Sequence, residues 1–281
     1  MIKISTDSTA DLGDLFLQRN VLSFPLIVML GDECLNDGIE VTPEKIFDFV
    51  EKTGKLPKTA ARGVEEYKEF FEKCTADGSS VIHFNISQCI SSSNEHAAQA
   101  ASEMKNVYVI DSKSLSTGTG LLALYAADLR DEGKLSAKEI YEKCLARVDD
   151  VQASFVVDNM EYLYKGGRCS GLTSFIATAL KIKPSLLLRE GKITVGPKYM
   201  GNLSKSIAKY CENIIDAHPN VDKTRVFVTH TAIDEKIVET VKSIVREKIN
   251  PAEIYETVAG SVITSHCGKG TLGVLFLDEA E

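Results

Sequence analysis

Three short apolar segments of the chain each run directly into a loop rich in hydroxyl groups. These loops comprise residues 6–9, residues 87–94 and residues 111–120. If the apolar segments are parallel strands, the loops lie at the strands' carboxyl ends, where open α/β sheets bind their ligands. Hydroxyl donors beside the free N–H groups of a helix start suit an anion such as a carboxylate or phosphate. Capping of the following helix is the more common explanation for any one such loop, but three of them on one sheet edge strengthen the case for an anion site.

A fourth loop, residues 57–63, has the same character and precedes a predicted helix. It offers the Thr59 hydroxyl as a donor and Arg62 as a positive charge. Taken alone, this segment also fits a simple loop ahead of a helix start.

Two glycine-rich segments in the second half carry further polar groups. Arg168 follows Gly166 and Gly167, a flexible pair that allows the backbone to approach a ligand or partner closely. His266 lies just before a glycine-rich turn. A helix ending at the glycine pair and a merely structural histidine are the simpler alternatives.

No established catalytic motif occurs in the sequence. The nucleophile elbow, the zinc-binding His-Glu-x-x-His helix, the P-loop and the complete dinucleotide-binding fingerprint are all missing. Cys89 or Cys267 could pair with His266 as a nucleophile, but buried, inert cysteines are the expectation. The seven cysteines include no Cys-x-x-Cys pair, which predicts reduced thiols and neither a disulfide framework nor a metal site.

Composition excludes several classes of function. The 32 basic and 40 acidic residues give a net charge of -8, which disfavours nucleic acid as a partner. No apolar run approaches the roughly 20 residues that a bilayer-spanning helix needs, and no secretory leader is evident. We therefore expect a soluble, cytoplasmic protein without integral membrane association.

The pattern of predicted elements indicates an α/β fold in two domains. A length of 281 residues favours two domains, predicted here as residues 1–150 and 151–281. The first half alternates strands and helices, which predicts a mostly parallel sheet flanked by helices. The second half predicts an α/β domain with a mixed or antiparallel sheet, including a hairpin at residues 189–192.

Individual predictions are more specific. One strand is predicted over residues 21–29, and helices are predicted near residues 12–18 and 174–180. Ser8 with Asp11, Thr42 before Pro43, and Ser136 with Glu139 predict helix starts.

An ordered set of segments resembles the DegV family from residue 4 to about residue 276. The segments are Thr-Asp-Ser-Thr-Ala-Asp-Leu at 6–12, Pro-Lys-Thr at 57–59, Ile-Ser at 90–91, Lys-Gly-Gly-Arg at 165–168, Ile-Lys-Pro at 182–184 and the stretch 266–273. The Lys-Gly-Gly-Arg and Ile-Lys-Pro segments are the most specific of these.

The resemblance implies a lipid-binding protein of bacterial type that has no catalytic residues of its own. It implies that a long-chain fatty acid lies in an apolar tunnel between two domains, with its carboxylate at a hydroxyl cluster. Some members are the fatty-acid-binding subunit of bacterial fatty acid kinase and present the carboxylate to a separate kinase subunit. The bound fatty acid is then the ligand, and no cofactor or metal is implied.

The resemblance also assigns roles to residues. Thr59, Ser91 and His266 would bind the carboxylate. The residues expected near the head group or facing the partner are Arg168, Arg62, Ser92, Ser93, Gly166 and Gly167.

Departures from the family pattern leave other ligands and functions open. Residues 60–63 read Ala-Ala-Arg-Gly where the family has Ser-Gln-Pro-Ser, and Lys269 replaces a proline. A shorter acid or another anion also fits. Two alternative functions are an enzyme that acts on a small anionic metabolite through His266 and Arg168, and a regulatory interaction protein.

Overall fold

The structure is a computed structural model that describes residues 1–168 and 182–280. The strands in this part of the chain are β1 (Ile2–Asp7), β2 (Val21–Phe24), β3 (Ile27–Leu30), β4 (Glu33–Asn36), β5 (Lys58–Ala60), β6 (Ser80–Asn85), β7 (Val107–Asp111), β8 (Val151–Val156), β9 (Ile182–Arg189), β10 (Lys192–Met200), β11 (Val221–His230), β12 (Glu253–Val258) and β13 (Leu272–Asp278). The α-helices described are α1 (Leu15–Gln18), α2 (Pro43–Thr53), α3 (Val64–Thr75), α4 (Ser93–Ala101), α5 (Thr117–Glu132), α6 (Ala137–Ala146), α7 (Glu161–Gly166), α8 (Leu203–Asp216), α9 (Glu235–Lys248) and α10 (Ser261–Cys267).

The N-terminal sheet is parallel, as the alternation of strands and helices predicts. Its four strands lie in the order β2-β1-β6-β7, and every neighbouring pair is parallel. The carboxyl ends of β1, β6 and β7 therefore meet at one edge of the sheet. The three hydroxyl-rich loops begin at that edge.

The second half of the chain forms a mixed sheet, which is also as predicted. Its six strands lie in the order β10-β9-β8-β13-β11-β12, and only β11 and β12 pair in parallel. The predicted hairpin is confirmed, because β9 and β10 are antiparallel neighbours joined at Glu190 and Gly191. The division into domains at residue 150 stays a prediction.

A small third sheet corrects the prediction of one strand over residues 21–29. The segment forms two strands that belong to different sheets, β2 in the parallel sheet and β3 in a three-stranded sheet of order β4-β3-β5. Pro25 separates them, since it has no N–H to donate to a strand partner. The loop predicted at residues 57–63 contains β5, and its pairing opposes Thr59 to Val28.

Helix α5 packs between the two larger sheets. It contacts β1 and β6 of the parallel sheet and β8 and β13 of the mixed sheet. Ten of its sixteen residues are buried, which is more than one apolar stripe can supply. A single apolar core therefore continues from Ile4 through Leu121 to Phe227 and Leu275.

The helix starts agree with the sequence in part. Thr42 caps α2, and Ser136 forms a capping box with Glu139 at the start of α6. The capping box predicted for Ser8 and Asp11 is wrong, because Asp7 caps a short 3-10 turn that contains Ser8.

Two further helices were predicted, at residues 12–18 and 174–180. The helix predicted at residues 12–18 is shorter than expected and spans only α1 (Leu15–Gln18). The helix predicted at residues 174–180 lies outside the described residues.

Candidate functional site

A mostly apolar cavity of about 100 Å³ lies at the carboxyl edge of the parallel sheet. Its walls come from both halves of the chain, including Ile86 and Leu115 from the first and Phe155 and Ile263 from the second. Polar groups line it at Thr59, Ser91, Ser92 and His266, called here the Thr59–His266 cluster. An apolar cavity with a few polar groups is the usual form of a small-molecule site.

Thr59 and His266 form the central contact of this cluster. Strand β5 carries Thr59 and helix α10 carries His266, and their Oγ1 and Nε2 atoms are 2.8 Å apart. Burial, with the Arg168 charge as a second cause, lowers the pKa of His266 to about 4. The imidazole is therefore neutral at pH 7, with one nitrogen as a donor and the other as an acceptor.

Gly166 packs against the Nδ1 side of the His266 imidazole. A Cβ at residue 166 would lie 2.5 Å from His266 Nδ1, so only glycine permits this packing. Nδ1 is buried and has no hydrogen-bond partner within the described part of the chain. Gly167 ends α7 in the left-handed conformation, with φ of 68°, which confirms the predicted helix end.

The three consecutive serines after β6 have different positions. Ser91 and Ser92 line the cavity. Ser93 is fully buried behind them, its Oγ lying 2.9 Å from Ser91 Oγ, and its N–H donates to the same Ser91 oxygen at 3.2 Å. Ser93 thus supports Ser91 rather than facing the cavity.

Arg168 lies at the rim of the cavity. It is exposed, and its guanidinium donates to the Gly166 carbonyl at 2.7 Å. It also lines an open surface depression together with Cys89, Gly167 and Lys192. Arg168 therefore connects the cavity with the outer surface.

Two cations depart from the family pattern, Arg62 and Lys269, and neither lines this cavity. Arg62 donates to the Pro25 carbonyl at 2.7 Å and pairs with Glu66 at 2.7 Å, and it also bonds Asn36. The Lys269 ammonium lies 4.9 Å from the centre of the Phe47 ring. Both charges are used in contacts with neighbouring elements.

Comparison with known proteins identifies the chain's family. A sequence model of the family described as "Uncharacterised protein, DegV family" matches residues 1–279. This chain belongs to the DegV family. It is 30% identical over 280 residues to a fatty acid-binding protein of Thermotoga maritima, an alignment that covers 97% of this chain and 96% of that protein.

Solved structures of fatty-acid-binding proteins have the same fold. A fatty-acid-binding DegV family protein from Thermus thermophilus is 28% identical and gives a TM-score of 0.88, with 99% of each chain covered. A stearic acid-binding protein from Eubacterium ventriosum is 26% identical and gives a TM-score of 0.85, with 99% of this chain and 98% of the other covered. Both relatives are described by the fatty acids that they bind.

Three buried aspartates, Asp7, Asp11 and Asp37, lie next to the cavity of this DegV protein and were missed by sequence reasoning. We call them the aspartate cluster. Asp11 accepts from the Gly260 N–H at 2.9 Å, and Asp37 accepts from the Ser261 N–H at 2.9 Å. Burial raises the pKa of all three carboxyl groups. Two of the three thus hold the first turn of α10, the helix that carries His266.

Three hydroxyl groups from two of the predicted loops donate to the aspartate cluster. Ser8 donates to Asp37 at 2.7 Å, Ser116 donates to Asp11 at 2.5 Å, and Thr9 donates to Asp7. Thr9 lines the cavity as well. Helix capping alone therefore does not account for the hydroxyl groups of Ser8 and Thr9.

The apolar walls continue beyond the first cavity. A smaller cavity of about 20 Å³ shares Leu115, Phe155, Ile263 and Cys267 with it as lining residues. Val262 and Ile263 were not identified from the sequence, because the seven-residue α10 is too short to show an apolar repeat. No other signal in the single sequence marks these wall residues.

The remaining side chains that could carry chemistry are the cysteines and the potential metal ligands. Burial raises the pKa of the Cys267 thiol to about 12, so it is not a thiolate at pH 7. The six cysteines described are all free, and Cys169 lies outside the described residues. No group of three or more metal-ligating side chains occurs within residues 1–168 and 182–280. Every helix described there is too short or too polar to span a bilayer.

Proposed function

We propose that this DegV protein binds a long-chain fatty acid and is a carrier rather than an enzyme. The carboxylate lies at Thr59, Ser91 and His266, where His266 orients the Thr59 hydroxyl towards it, and the tail lies among the apolar walls between the two larger sheets. The observation that carries the proposal is the contact between Thr59 and His266 at the polar end of an apolar cavity. The fatty acids bound by relatives with the same fold support it.

The hydrogen-bond directions suit a carboxylate. When His266 Nε2 carries the proton, it donates to Thr59 Oγ1, which lies 2.8 Å away. The Thr59 hydroxyl proton is then free to point at a carboxylate oxygen. A buried carboxylate needs such donors, because its desolvation is otherwise costly.

Burial of the tail supplies most of the affinity. About fifteen methylenes at ~0.8 kcal/mol each give on the order of 12 kcal/mol before ordering costs. The cavity of about 100 Å³ is smaller than the ~150 Å³ of an engineered cavity that holds benzene. The tail must therefore separate the Leu115 and Phe155 side chains from Ile263 and join the two cavities.

We also infer a partner kinase subunit that phosphorylates the bound carboxylate. The exposure of Arg168 at the rim of the cavity supports a role in contacting such a partner rather than in holding the tail. With the purified kinase subunit present, we expect Arg168→Ala to lower acyl phosphate formation at least tenfold while fatty acid affinity changes less than threefold. Equal losses in both assays would place Arg168 in the fatty acid site instead.

Mass spectrometry of the denatured, purified protein tests fatty acid binding itself. We expect a saturated or unsaturated long-chain acid in near-stoichiometric amount, and a higher Tm when that acid is added to delipidated protein. Thr240→Val, which removes an exposed hydroxyl on α9, serves as a control and should behave as the unchanged protein. Absence of an acyl chain together with an unchanged Tm would refute the proposal.

A further inference from the structure

An open surface depression of about 610 Å³ borders the cavity of the Thr59–His266 cluster. Five residues line both spaces, and we call them the mouth of the cavity: Ile90, Ser91, Ser92, Arg168 and Ile193. Ile90 and Ile193 are half-buried, and both pack against the apolar cluster that contains Phe155 and Leu163. Apolar side chains from both halves of the chain therefore lie between the cavity and the outer surface.

Ile193 belongs to the β9–β10 hairpin, whose outer part extends beyond the neighbouring strand. Strand β10 is at the edge of the mixed sheet. In the described part of the chain, pairing between β8 and β9 covers residues 185–187, so the hairpin beyond Leu187 pairs only with itself. The outer hairpin can therefore move without breaking the pairing between β8 and β9.

The tip of this hairpin contacts the loop that follows β6. Ser87 Oγ donates to the Gly191 carbonyl at 2.8 Å, and both residues are buried. A Cβ at residue 191 would lie 2.5 Å from Ser87 Oγ, and Gly191 has a φ of 77°, so glycine allows the tip to approach this closely. Cys89 Sγ lies 3.7 Å from the Glu190 carbonyl oxygen. These contacts hold the hairpin across the mouth.

The inner part of the hairpin contains a bulge. The pairing between β9 and β10 shifts register between Val195 and Lys198. The two residues within this bulge are Gly196 and Pro197, and proline has no N–H to donate to a neighbouring strand. A bulge interrupts the ladder and bends the strand locally, so the hairpin has a pivot at this position.

A fatty acid needs an opening at the mouth. Ser91 belongs both to the mouth and to the proposed carboxylate site with Thr59. The tail must therefore enter first and pass between Ile90 and Ile193, and the carboxylate follows it.

We propose that the outer part of the β9–β10 hairpin, residues 188–195, is a gate for the fatty acid, and that the hydrogen bond between Ser87 and Gly191 keeps this gate closed. The inference rests on the proposed fatty acid binding and adds its entry route. When the hydrogen bond breaks, the hairpin pivots at the bulge and carries Ile193 away from Ile90. Closing covers the bound tail again, so the gate sets the rates of exchange more than the affinity.

Stopped-flow kinetics with cis-parinaric acid, a fluorescent long-chain acid, test the gate on the full-length protein. We expect Ser87→Ala to raise both the association and the dissociation rate at least fivefold, with a change in Kd of less than threefold. Ser243→Ala is the matched control, because its hydroxyl also donates to a carbonyl at 2.8 Å but lies on α9. It should leave both rates unchanged.

A disulfide across the gate tests the same inference in the opposite direction. A Cβ at residue 191 would lie 3.6 Å from Cys89 Cβ, which suits a disulfide, and Ser87→Ala removes the hydroxyl that would obstruct it. We expect the Ser87→Ala/Gly191→Cys protein to exchange cis-parinaric acid at least tenfold more slowly after oxidation by copper-phenanthroline than after reduction by dithiothreitol. The unchanged protein should have equal rates under both treatments.

If that variant does not fold, Glu190→Cys takes its place, at an exposed residue of the turn beside Cys89. Saturable binding of cis-parinaric acid with unaltered rates in Ser87→Ala, or with equal rates in the oxidised and reduced forms of the disulfide variant, would overturn the gate alone. A weaker Kd of Ser87→Ala with an unaltered association rate would do the same. Absence of binding to the unchanged protein would refute the gate and the proposed function together.

Discussion

Hydroxyl groups meet buried polar partners in two adjacent regions of this protein, and the two regions use them differently. In the aspartate cluster, Ser8 and Ser116 donate to carboxylates of the protein itself. In the Thr59–His266 cluster, the Thr59 hydroxyl contacts the His266 imidazole instead of a carboxylate, and the hydroxyls line a mostly apolar cavity. The comparison teaches that a hydroxyl group at the carboxyl edge of a sheet is evidence for a ligand only where it does not already donate to a carboxylate of the protein.

The two regions are also mechanically connected. Asp11 and Asp37 bind the N–H groups at the start of α10, and the same helix carries His266 near its other end. The aspartate cluster therefore positions the Thr59–His266 cluster, where we propose that the carboxylate binds. We expect changes in the first region to lower stability, and changes in the second to lower ligand affinity.

The largest expected effect is that of Asp37→Ala on stability. The substitution leaves the Ser8 hydroxyl and the Ser261 N–H buried without an acceptor. We expect the free energy of unfolding to fall by about 3 to 5 kcal/mol in urea denaturation. Asp32→Ala, at an exposed aspartate, is the matched control and should change it by less than ~0.5 kcal/mol. A small effect of Asp37→Ala would remove the distinction between the regions.

The next prediction concerns the pH dependence of stability, which has opposite signs in the two regions. The pKa of His266 is about 4 in the folded protein and about 6.5 when unfolded, so the unfolded state binds more protons between these values. The contribution of the neutral His266 side chain to the free energy of unfolding is therefore fully present above pH 6.5 and is lost as the pH falls towards 4. Asp11 and Asp37 act in the opposite direction, because their raised pKa values give stability that is lost as the pH rises.

His266→Gln isolates the histidine contribution to this pH dependence. Between pH 6.5 and 4, we expect the variant to lose less stability than the unchanged protein, by on the order of 3 kcal/mol. His83, whose pKa burial lowers to about 3, remains in both proteins and contributes equally to them. Identical pH profiles of the two proteins would mean that His266 is not held neutral by burial.

A smaller effect compares two serines directly. Ser8 accepts the Leu26 N–H at 3.1 Å and donates to Asp37, so Ser8→Ala should lower the free energy of unfolding by about 1 to 2 kcal/mol. Ser92 is exposed and lines the cavity, and Ser92→Ala should change stability by less than ~0.5 kcal/mol. Thermal and urea unfolding of the Ser8→Ala and Ser92→Ala proteins measure the two stability changes. Equal losses would show that the two serines have the same structural role.

The sequence predicts the sheet arrangement well, because that arrangement depends on local patterns. Alternating strands and helices indicate the parallel sheet, and the short turn at residues 189–192 indicates the β9–β10 hairpin. Thr59, Ser91 and His266 were found through motifs that resemble the DegV family, and the fold brings them to one cavity. Their role at the carboxylate remains our proposal.

The missed features depend on contacts between distant residues. Asp11 and Gly260 are 249 positions apart, so no local pattern could show that a carboxylate starts α10. Helix α10 contains the β-branched residues Val262, Ile263 and Thr264, which have lower helix propensity, and tertiary contacts override this preference. Arg62 illustrates the same limit, since its side chain bonds the Pro25 carbonyl, 37 positions away, and does not line the cavity.

The central claim is that the Thr59–His266 cluster recognises the carboxylate of a fatty acid. The most direct measurement compares the Kd of stearic acid with that of its methyl ester, for the unchanged protein and for Thr59→Val. Both ligands have the same tail, so their ratio reports on the head group alone. We expect the unchanged protein to prefer the acid at least tenfold and Thr59→Val to lose most of that preference. An undiminished preference in Thr59→Val would contradict the claim.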